Sequence, residues 1–200
     1  MNKPFSQACE NNKAPILSIL KEVLVHKRHL LEIGSGTGQH ASFFAPHLPF
    51  IKWQTSDLPI NHAGINQWID TCPANNLLKP LTVDLNLEWP TASIGAIDSI
   101  FTANTLHIVS WDLVEKFFEA TRLNLAAKGI LCIYGPFKYN HQFTSESNAR
   151  FDLWLKDRDS QSGVRDIEAI LALAEAAGLS LRSDVEMPAN NRLLVFDKAS

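Results

Sequence analysis

The sequence predicts an α/β fold in which a doubly wound, mostly parallel sheet carries helices on both faces. Along the 200 residues, short apolar segments of strand length alternate with amphipathic segments of helix length, which is typical of such a sheet. The first of these strands leads directly into a glycine-rich turn. The last two surround a turn at residues 188–191, as in an antiparallel hairpin. We therefore expect seven strands that are parallel except at one antiparallel edge.

The elements of the N-terminal half follow from apolar spacing and from prolines. The first helix is expected to begin near Pro15, because proline suits a first helical position, and apolar residues then fall on one face. Pro46 is expected to end the helix that follows the glycine turn. The remaining predictions are strand one at 30–33, the short helix at 39–45, strand two at 51–57, a helix at 64–72 and strand three at 81–85.

The C-terminal half continues the alternation. Ser110 is a predicted N-cap with Asp112 in the first turn, near the positive end of the helix, and Gly129 is predicted to follow the end of that helix. Strand four is expected at 98–103 and strand five at 129–135. A helix at 147–158 is expected to bury Phe151, Trp154 and Leu155, and another helix covers 166–177.

Composition limits the possible functions. The chain has a net charge of −3 and no run of Lys or Arg, so we expect no nucleic-acid partner. No apolar run approaches the roughly 20 residues that cross a bilayer, and the polar N-terminus does not resemble a signal peptide. Three cysteines without metal-like spacing indicate reduced thiols, a cytoplasmic location and no metal site. The length predicts one domain over residues 1–200, of unassigned oligomeric state.

The stretch LLEIGSGTGQH, residues 30–40, carries the strongest functional signal. Gly34, Gly36 and Gly38 stand at alternate positions, where glycine allows positive φ and lets a ligand approach the backbone. A phosphate-binding loop would need Lys and Ser or Thr after the last glycine. A dinucleotide fingerprint would need its third glycine at position 39, which is Gln. The observed spacing, with Glu32 before it, resembles the cofactor loop of class I S-adenosylmethionine (SAM) methyltransferases. A plain tight turn is the structural alternative.

The resemblance assigns further residues to the cofactor. It implies that Glu32 orients the loop, including Ser35, and the methionyl amino group. Asp57 ends strand two, where a carboxylate can accept the ribose hydroxyls, although NAD enzymes use an acid in the same way. Its alternative role is to cap the turn before the next helix. In the resembled fold, Asp84 and Leu85 would receive the adenine amino group, and the alternative for Asp84 is a solvated acid.

Polar residues after strand four form the predicted catalytic group. Asn104 and His107 are three residues apart, so one helical turn would direct both into the cleft. His107 is the candidate general base, with a hydrogen-bonded structural role as the alternative, and Asn104 is also a cofactor candidate. Tyr139 is the third catalytic candidate. Tyr134 and Phe137 are predicted to wall an acceptor pocket, or else to pack in the core.

Several longer stretches resemble the methyltransferase-like protein 26 family. The matching words include NNKAPIL, LEIGSGTGQHA, NTLHIVSW, YGPFKYN, SNARFDLWLKDRD and MPANNRLLVF, which together span nearly the whole chain. The resemblance implies a Rossmann-like class I SAM methyltransferase domain, but no substrate. It marks as site residues Asn11, Lys13, Asn148, Arg158, Arg165, Asp166, Asn190 and Asn191. Asn11 and Lys13 would contact the cofactor, and Arg165, Asn190 and Asn191 the acceptor.

These observations favour an enzyme that transfers a methyl group from SAM, leaving S-adenosylhomocysteine (SAH), to a small-molecule acceptor. The absence of a recognisable recognition domain favours a small acceptor over a macromolecule. Two alternatives remain. One is a module that binds SAM or SAH without transferring a methyl group. The other is an NAD-dependent oxidoreductase, which the spacing of the glycines disfavours.

Overall fold

The computed structural model describes residues 3–200 and contains the predicted alternation of strands and helices. The helices are α1 (Gln7–Val23), α2 (Gln39–His47), α3 (Pro59–Ile69), α4 (Trp111–Asn124), α5 (Glu146–Arg158) and α6 (Ile167–Ala176). The strands are β1 (His29–Ile33), β2 (Lys52–Asp57), β3 (Leu77–Thr82), β4 (Ile97–Ala103), β5 (Leu125–Gly135), β6 (Phe137–Tyr139), β7 (Gln142–Phe143), β8 (Arg165–Asp166), β9 (Leu179–Met187) and β10 (Asn191–Lys198).

The main sheet confirms the predicted fold class. Its seven strands lie in the order β3-β2-β1-β4-β5-β10-β9. The first five are mutually parallel, and β10 pairs antiparallel with both β5 and β9. The predicted hairpin therefore forms the mixed edge, with its antiparallel strand second from the end. The carboxyl ends of β1, β2, β4 and β5 consequently meet at one edge of the sheet, where doubly wound folds bind ligands.

Apolar residues cover both faces of this sheet, as expected for buried parallel strands. On one face, α1 and α2 pack through residues such as Leu20 and Phe44 against Trp53 and Phe101. On the other face, α4 and α6 pack through residues such as Phe117 and Ile170. Within residues 3–200, no helix is both long and apolar enough to cross a membrane.

Helix α1 begins eight residues earlier than the predicted start at Pro15. Ser6 caps it by accepting a hydrogen bond from the Cys9 amide, and Pro15 lies inside the helix. The first turns, residues 7–13, are polar, so the apolar periodicity that predicted the helix starts only at Ile16. These polar turns approach the site described below.

Other boundaries also differ from the predictions. Strand β3 ends at Thr82 and includes Pro80, which a sheet tolerates at its edge because the missing amide faces outward. Helix α4 is capped by Ser110 as predicted but ends at Asn124, because the chain already joins strand β5 at Leu125. The small sheet of β6, β7 and β8 was not predicted, since strands of two or three residues carry no periodicity.

Candidate functional site

A cavity of about 760 Å³ opens at the carboxyl edge of the parallel strands. Its base is formed by the segments that follow β1, β4 and β5. Its walls come from the first turns of α1, from α5 and from the hairpin turn between β9 and β10. This is the position at which a doubly wound sheet is expected to bind a ligand.

The glycine turn after β1 forms one side of the cavity. Gly34 and Gly36 both have positive φ, 71° and 58°. A Cβ on Gly34 would lie 2.8 Å from the Thr105 hydroxyl, so the turn and the segment after β4 approach too closely for a side chain. A Cβ on Gly36 would meet no atom within 4 Å. Because Gly36 lines the cavity, a side chain at this position would project into free space beside the loop.

Glu32 supports this turn from below. Its carboxylate accepts hydrogen bonds from the Ser35 hydroxyl at 2.8 Å and from the Trp53 indole at 3.1 Å. Burial raises the pKa of Glu32 to about 7. The predicted role of Glu32 in orienting the loop therefore has a direct structural basis in its bond to Ser35.

Asp57 holds the loop from the neighbouring strand. One carboxylate oxygen accepts a hydrogen bond from the Gly36 amide at 2.7 Å, and the other accepts from Leu58 and Asn61. Thr82 lies opposite Asp57 in the sheet register, so Asp84 follows at the same edge. Asp57 therefore ends β2, and Asp84 lies two residues beyond the end of the neighbouring strand β3.

Asp84 itself lies in a turn rather than within a strand. Its side chain accepts a hydrogen bond from the Asn86 amide at 2.8 Å, and its carbonyl accepts one from Leu87. The side chain of Asp84 is partly exposed and Leu85 packs at the margin of the core. The structure therefore places Asp84 and Leu85 beyond the end of β3, outside the cavity lining.

Two residues after the glycine turn attach helix α1 to the site. The side chain of Gln39 is buried, accepts a hydrogen bond from the Ser6 amide and donates to the Ser6 carbonyl and to the Glu10 carboxylate, at 3.3 and 3.1 Å. His40 lies 2.6 Å from the Asn12 side-chain oxygen. These bonds bring the polar turns of α1 over the loop.

His40 is neutral at physiological pH. Burial lowers its pKa to about 4, and its ring stacks on Phe44. Its second ring nitrogen lies 3.9 Å from the Cys9 sulfur, and burial raises the pKa of that thiol. Cys9 is therefore a protonated thiol beside a neutral imidazole, which does not favour a nucleophilic thiolate.

His107 and Asn104 lie where β4 enters the cavity. Asn104 adopts φ 58°, in the left-handed region, and its amide donates to the Tyr134 carbonyl at 2.9 Å. His107 lines the cavity and is 4% exposed. Burial, helped by the positive charge of Arg165, lowers its pKa to about 4. Within the described part of the chain, no side chain or backbone group hydrogen-bonds to the His107 ring.

Helix α5 supplies an aromatic wall, defined here as Phe151 and Trp154. The two ring planes differ by 17°, with centroids 5.7 Å apart, and Phe151 also meets the His107 ring edge-on at 5.3 Å. Trp154 is 50% exposed, so the prediction that it is buried was wrong. Its position at the mouth of the cavity explains the exposure.

The structure brings eight of the predicted site residues, and Asn148, to the cavity. These residues come from α1, the glycine turn, the segment after β4, the end of β5, α5 and the hairpin turn. They are Asn11, Gly34, Ser35, Gly36, Asn104, His107, Tyr134, Asn148 and Asn191. Burial raises the pKa of Tyr134, and the side chains of Asn12 and Asn191 partly offset this effect.

Three predicted acceptor or catalytic residues lie elsewhere. Phe137 is 2% exposed and belongs to the apolar core. Tyr139 donates a 2.6 Å hydrogen bond to Asp184, on the sheet strand β9. Arg165 donates to the carbonyls of Leu106 and Val109. None of the three lines the cavity that contains His107, which corrects the predicted placement of Tyr139 as a catalytic residue and of Phe137 and Arg165 as acceptor contacts there.

The remaining predicted residues surround the site without lining it. Lys13 pairs with Glu10, and Gly38 packs its backbone against Ile65. Asn190 joins the hairpin turn to α5 through the Ser147 hydroxyl at 3.2 Å. Among residues marked only by the resemblance, Arg158 lies over the Trp154 ring and Asp166 pairs with Lys138.

Sequence reasoning missed several lining residues. They are Cys9, Asn12, His40, Phe151 and Trp154 as site residues. Of these residues, His40 has a usable sequence signal, because it lies two positions after Gly38. Asn12 lies between the predicted residues Asn11 and Lys13, but its place in the cavity depends on a distant residue, His40.

Comparison with known proteins agrees with this geometry. The family model described as "Protein of unknown function (DUF938)" matches residues 3–198. The structure of an O-methyltransferase family protein from Burkholderia thailandensis superposes with a TM-score of 0.81 at 16% identity, over 94% of this chain and 56% of that one.

Two further structures are similar over 96% and 97% of this chain. The first is an O-methyltransferase family 2 protein from Planctomyces limnophilus in complex with apigenin, with a TM-score of 0.82, 15% identity and 58% of that chain covered. The second is human N-acetylserotonin methyltransferase in complex with SAM, with a TM-score of 0.79, 14% identity and 53% of that chain covered. The chain thus spans little more than half the length of these proteins. At this identity, the similarity shows that the chain has the class I methyltransferase fold.

Proposed function

We propose that this chain, a member of the DUF938 family, is a SAM-dependent methyltransferase acting on a hydroxyl group of a small molecule. Its methyltransferase fold, shared with O-methyltransferases, supports the proposal. One observation carries the proposal. The ring of His107 lies in a cavity at the carboxyl edge of the sheet, beside a glycine turn anchored by Asp57. A base and a cofactor loop therefore share one cavity.

The residues around the glycine turn fit SAM. The open space beside Gly36 is what an adenosyl ligand needs at a backbone it approaches closely. Asp57 would accept the ribose hydroxyls on lone pairs that its bonds to Gly36, Leu58 and Asn61 leave free.

Asp84 and Leu85 lie beyond the cavity lining, so they would contact the adenine where the ligand extends past the cavity along the sheet edge. The methionyl part of SAM would be held by Asn11 and by the turn that Glu32 supports. When bound, SAM supplies an electrophilic methyl group on a sulfonium.

In this proposal, His107 accepts the proton of the acceptor hydroxyl at a ring nitrogen. With a pKa of about 4, the imidazole is unprotonated at neutral pH and ready to accept a hydrogen bond. A base this weak contributes mainly by orienting the hydroxyl, and most of the acceleration then comes from positioning. Asn104 adds an amide at the same strand end.

Isothermal titration with SAH tests the cofactor half of the proposal. We expect a saturable heat that Asp57→Ala weakens. A lack of heat from both SAM and SAH would refute the proposal.

Transfer of labelled methyl tests the catalytic half. The protein is incubated with methyl-labelled SAM and a low-molecular-mass metabolite extract, and label in organic-soluble products is counted. His107→Ala should reduce transfer by roughly tenfold, as expected for the loss of one orienting hydrogen bond, while SAH binding persists. His47→Ala, an exposed histidine on α2, is the matched control. SAH binding without any transfer would favour the binding-module alternative instead.

A further inference from the structure

The cavity that contains His107 has no formally charged lining. Among the described residues that line it, none is Asp, Glu, Lys or Arg. Its two histidines are both neutral at pH 7, because burial lowers their pKa values to about 4. An ionised acceptor group would lose its hydration here without meeting an oppositely charged side chain, which is unfavourable.

The polar side chains of the cavity are uncharged amides, hydroxyls, imidazoles and one thiol. Five asparagines line it, namely Asn11, Asn12, Asn104, Asn148 and Asn191. An amide both donates and accepts hydrogen bonds, so this lining suits uncharged polar groups such as hydroxyls and carbonyls.

Aromatic rings lead from the mouth of the cavity to the base. Trp154 is half exposed at the mouth, and Phe151 follows it nearly in parallel. The ring of Phe151 then meets the buried His107 edge-on. Ile108, 47% exposed, adds apolar surface on the same lining. The exposed Arg158 lies over the Trp154 ring, 4.6 Å from its centroid.

We propose that the methyl acceptor is an uncharged aromatic molecule that packs along Phe151 and Trp154 with its hydroxyl at His107. This inference rests on the proposed function and specifies its substrate class. Asparagine amides that the cofactor does not use, such as those of Asn148 and Asn191, then bind the other polar groups of the acceptor. The row of rings explains why Trp154 stays at the surface: it forms the entrance for an apolar ring.

A series of naphthalene probes tests the proposal on the protein saturated with SAH. The probes are 2-naphthol, its anionic analogue 6-hydroxy-2-naphthoate, and the non-aromatic 2-decalinol, each titrated calorimetrically at pH 7. We expect 2-naphthol to bind at least about tenfold more tightly than either analogue, because the anion is buried without a partner and decalinol lacks a π-face.

Two variants on α5 connect binding to the wall. Trp154→Ala should weaken 2-naphthol binding about tenfold. Leu153→Ala, an exposed residue on the same helix outside the cavity lining, should leave it unchanged. Equal or tighter binding of the naphthoate, undetectable 2-naphthol binding, or an unaffected Trp154→Ala variant would each overturn the proposal.

The two proposals fail separately. If SAH gives no heat, the methyltransferase proposal fails, and the same probe series on the protein alone still decides the ligand class. If SAH binds but the probe order is reversed, only the substrate class is wrong.

Discussion

Gln39 makes most of the hydrogen bonds that attach the first turns of helix α1 to the cofactor loop, and replacing it should loosen these turns. Gln39 bonds to the Ser6 amide, the Ser6 carbonyl and the Glu10 carboxylate. Gln39→Ala removes all three bonds and leaves the α2 backbone intact. We expect the first turns of α1 to open locally while the rest of the fold persists.

The size of the effect follows from these three bonds. Each neutral hydrogen bond contributes about 0.5–1.5 kcal/mol net. The hydrogen bond to the Glu10 carboxylate is partly exposed to solvent, so we assign it the same free energy as the two neutral bonds. The total is about 3 kcal/mol, which corresponds to roughly a hundredfold increase in local opening. Asn11 and Asn12 would leave the cavity in the open state, so SAH affinity should also fall.

Amide hydrogen exchange measures this opening directly. Residues 7–13 should exchange up to about a hundredfold faster in Gln39→Ala, and calorimetry should show weaker SAH binding. Glu22→Ala is the control, because Glu22 is exposed near the other end of α1 and lies outside the cavity lining. Unchanged exchange in α1 of the Gln39 variant would show that other contacts hold the helix and that our interpretation is wrong.

Three further predictions address the loop and the base. Gly36→Val should lose roughly 1–2 kcal/mol of stability because Gly36 has positive φ, and calorimetry should show at least a tenfold loss of SAH affinity. Gly95→Val should lose stability alone, because Gly95 has φ 82° but open surroundings remote from the cavity. An equal loss of SAH affinity in both variants would refute the steric role of Gly36. The raised pKa of Glu32 keeps its carboxyl protonated in the folded state at pH values where the unfolded chain has already ionised. The free energy of unfolding should therefore fall by about 3 kcal/mol in total as the pH rises from 5 to 8. The free energy of unfolding of Glu32→Gln, measured with urea, should therefore fall less across this pH range than that of the unaltered protein. An identical pH dependence would contradict the raised pKa of Glu32. Arg165→Gln removes a positive charge that lowers the pKa of His107, so NMR titration of the His107 ring should give a higher pKa; an unchanged value would exclude the electrostatic coupling.

The glycine turn and its acids could be predicted because their signals are local. Gly34, Gly36 and Glu32 lie within one strand and turn, and Asp57 ends a strand that is recognisable from its own residues. Parallel topology then brings these ends together without further information. The two-sided core follows from the same alternation, whereas the order of the strands was not predicted, because different orders share one alternation of strands and helices.

The polar turns of α1 could not be predicted, because they are stabilised by distant residues. Residues 7–13 show no apolar stripe, and their partners Gln39 and His40 are about thirty positions away in sequence. Trp154 was assigned to the core because large aromatic residues are usually buried. A residue exposed at a cavity mouth has the same sequence signature as one in the core.

The backbone of Asn104 restricts which substitutions are informative at the end of β4. Asparagine and glycine tolerate a left-handed φ, whereas alanine is strained there. Replacement by alanine would combine loss of the amide with a distorted strand end, and its result would be ambiguous. Glycine keeps the bend and deletes only the side chain, so a selection for foldable variants at this position should enrich glycine and aspartate, whatever the chemistry requires.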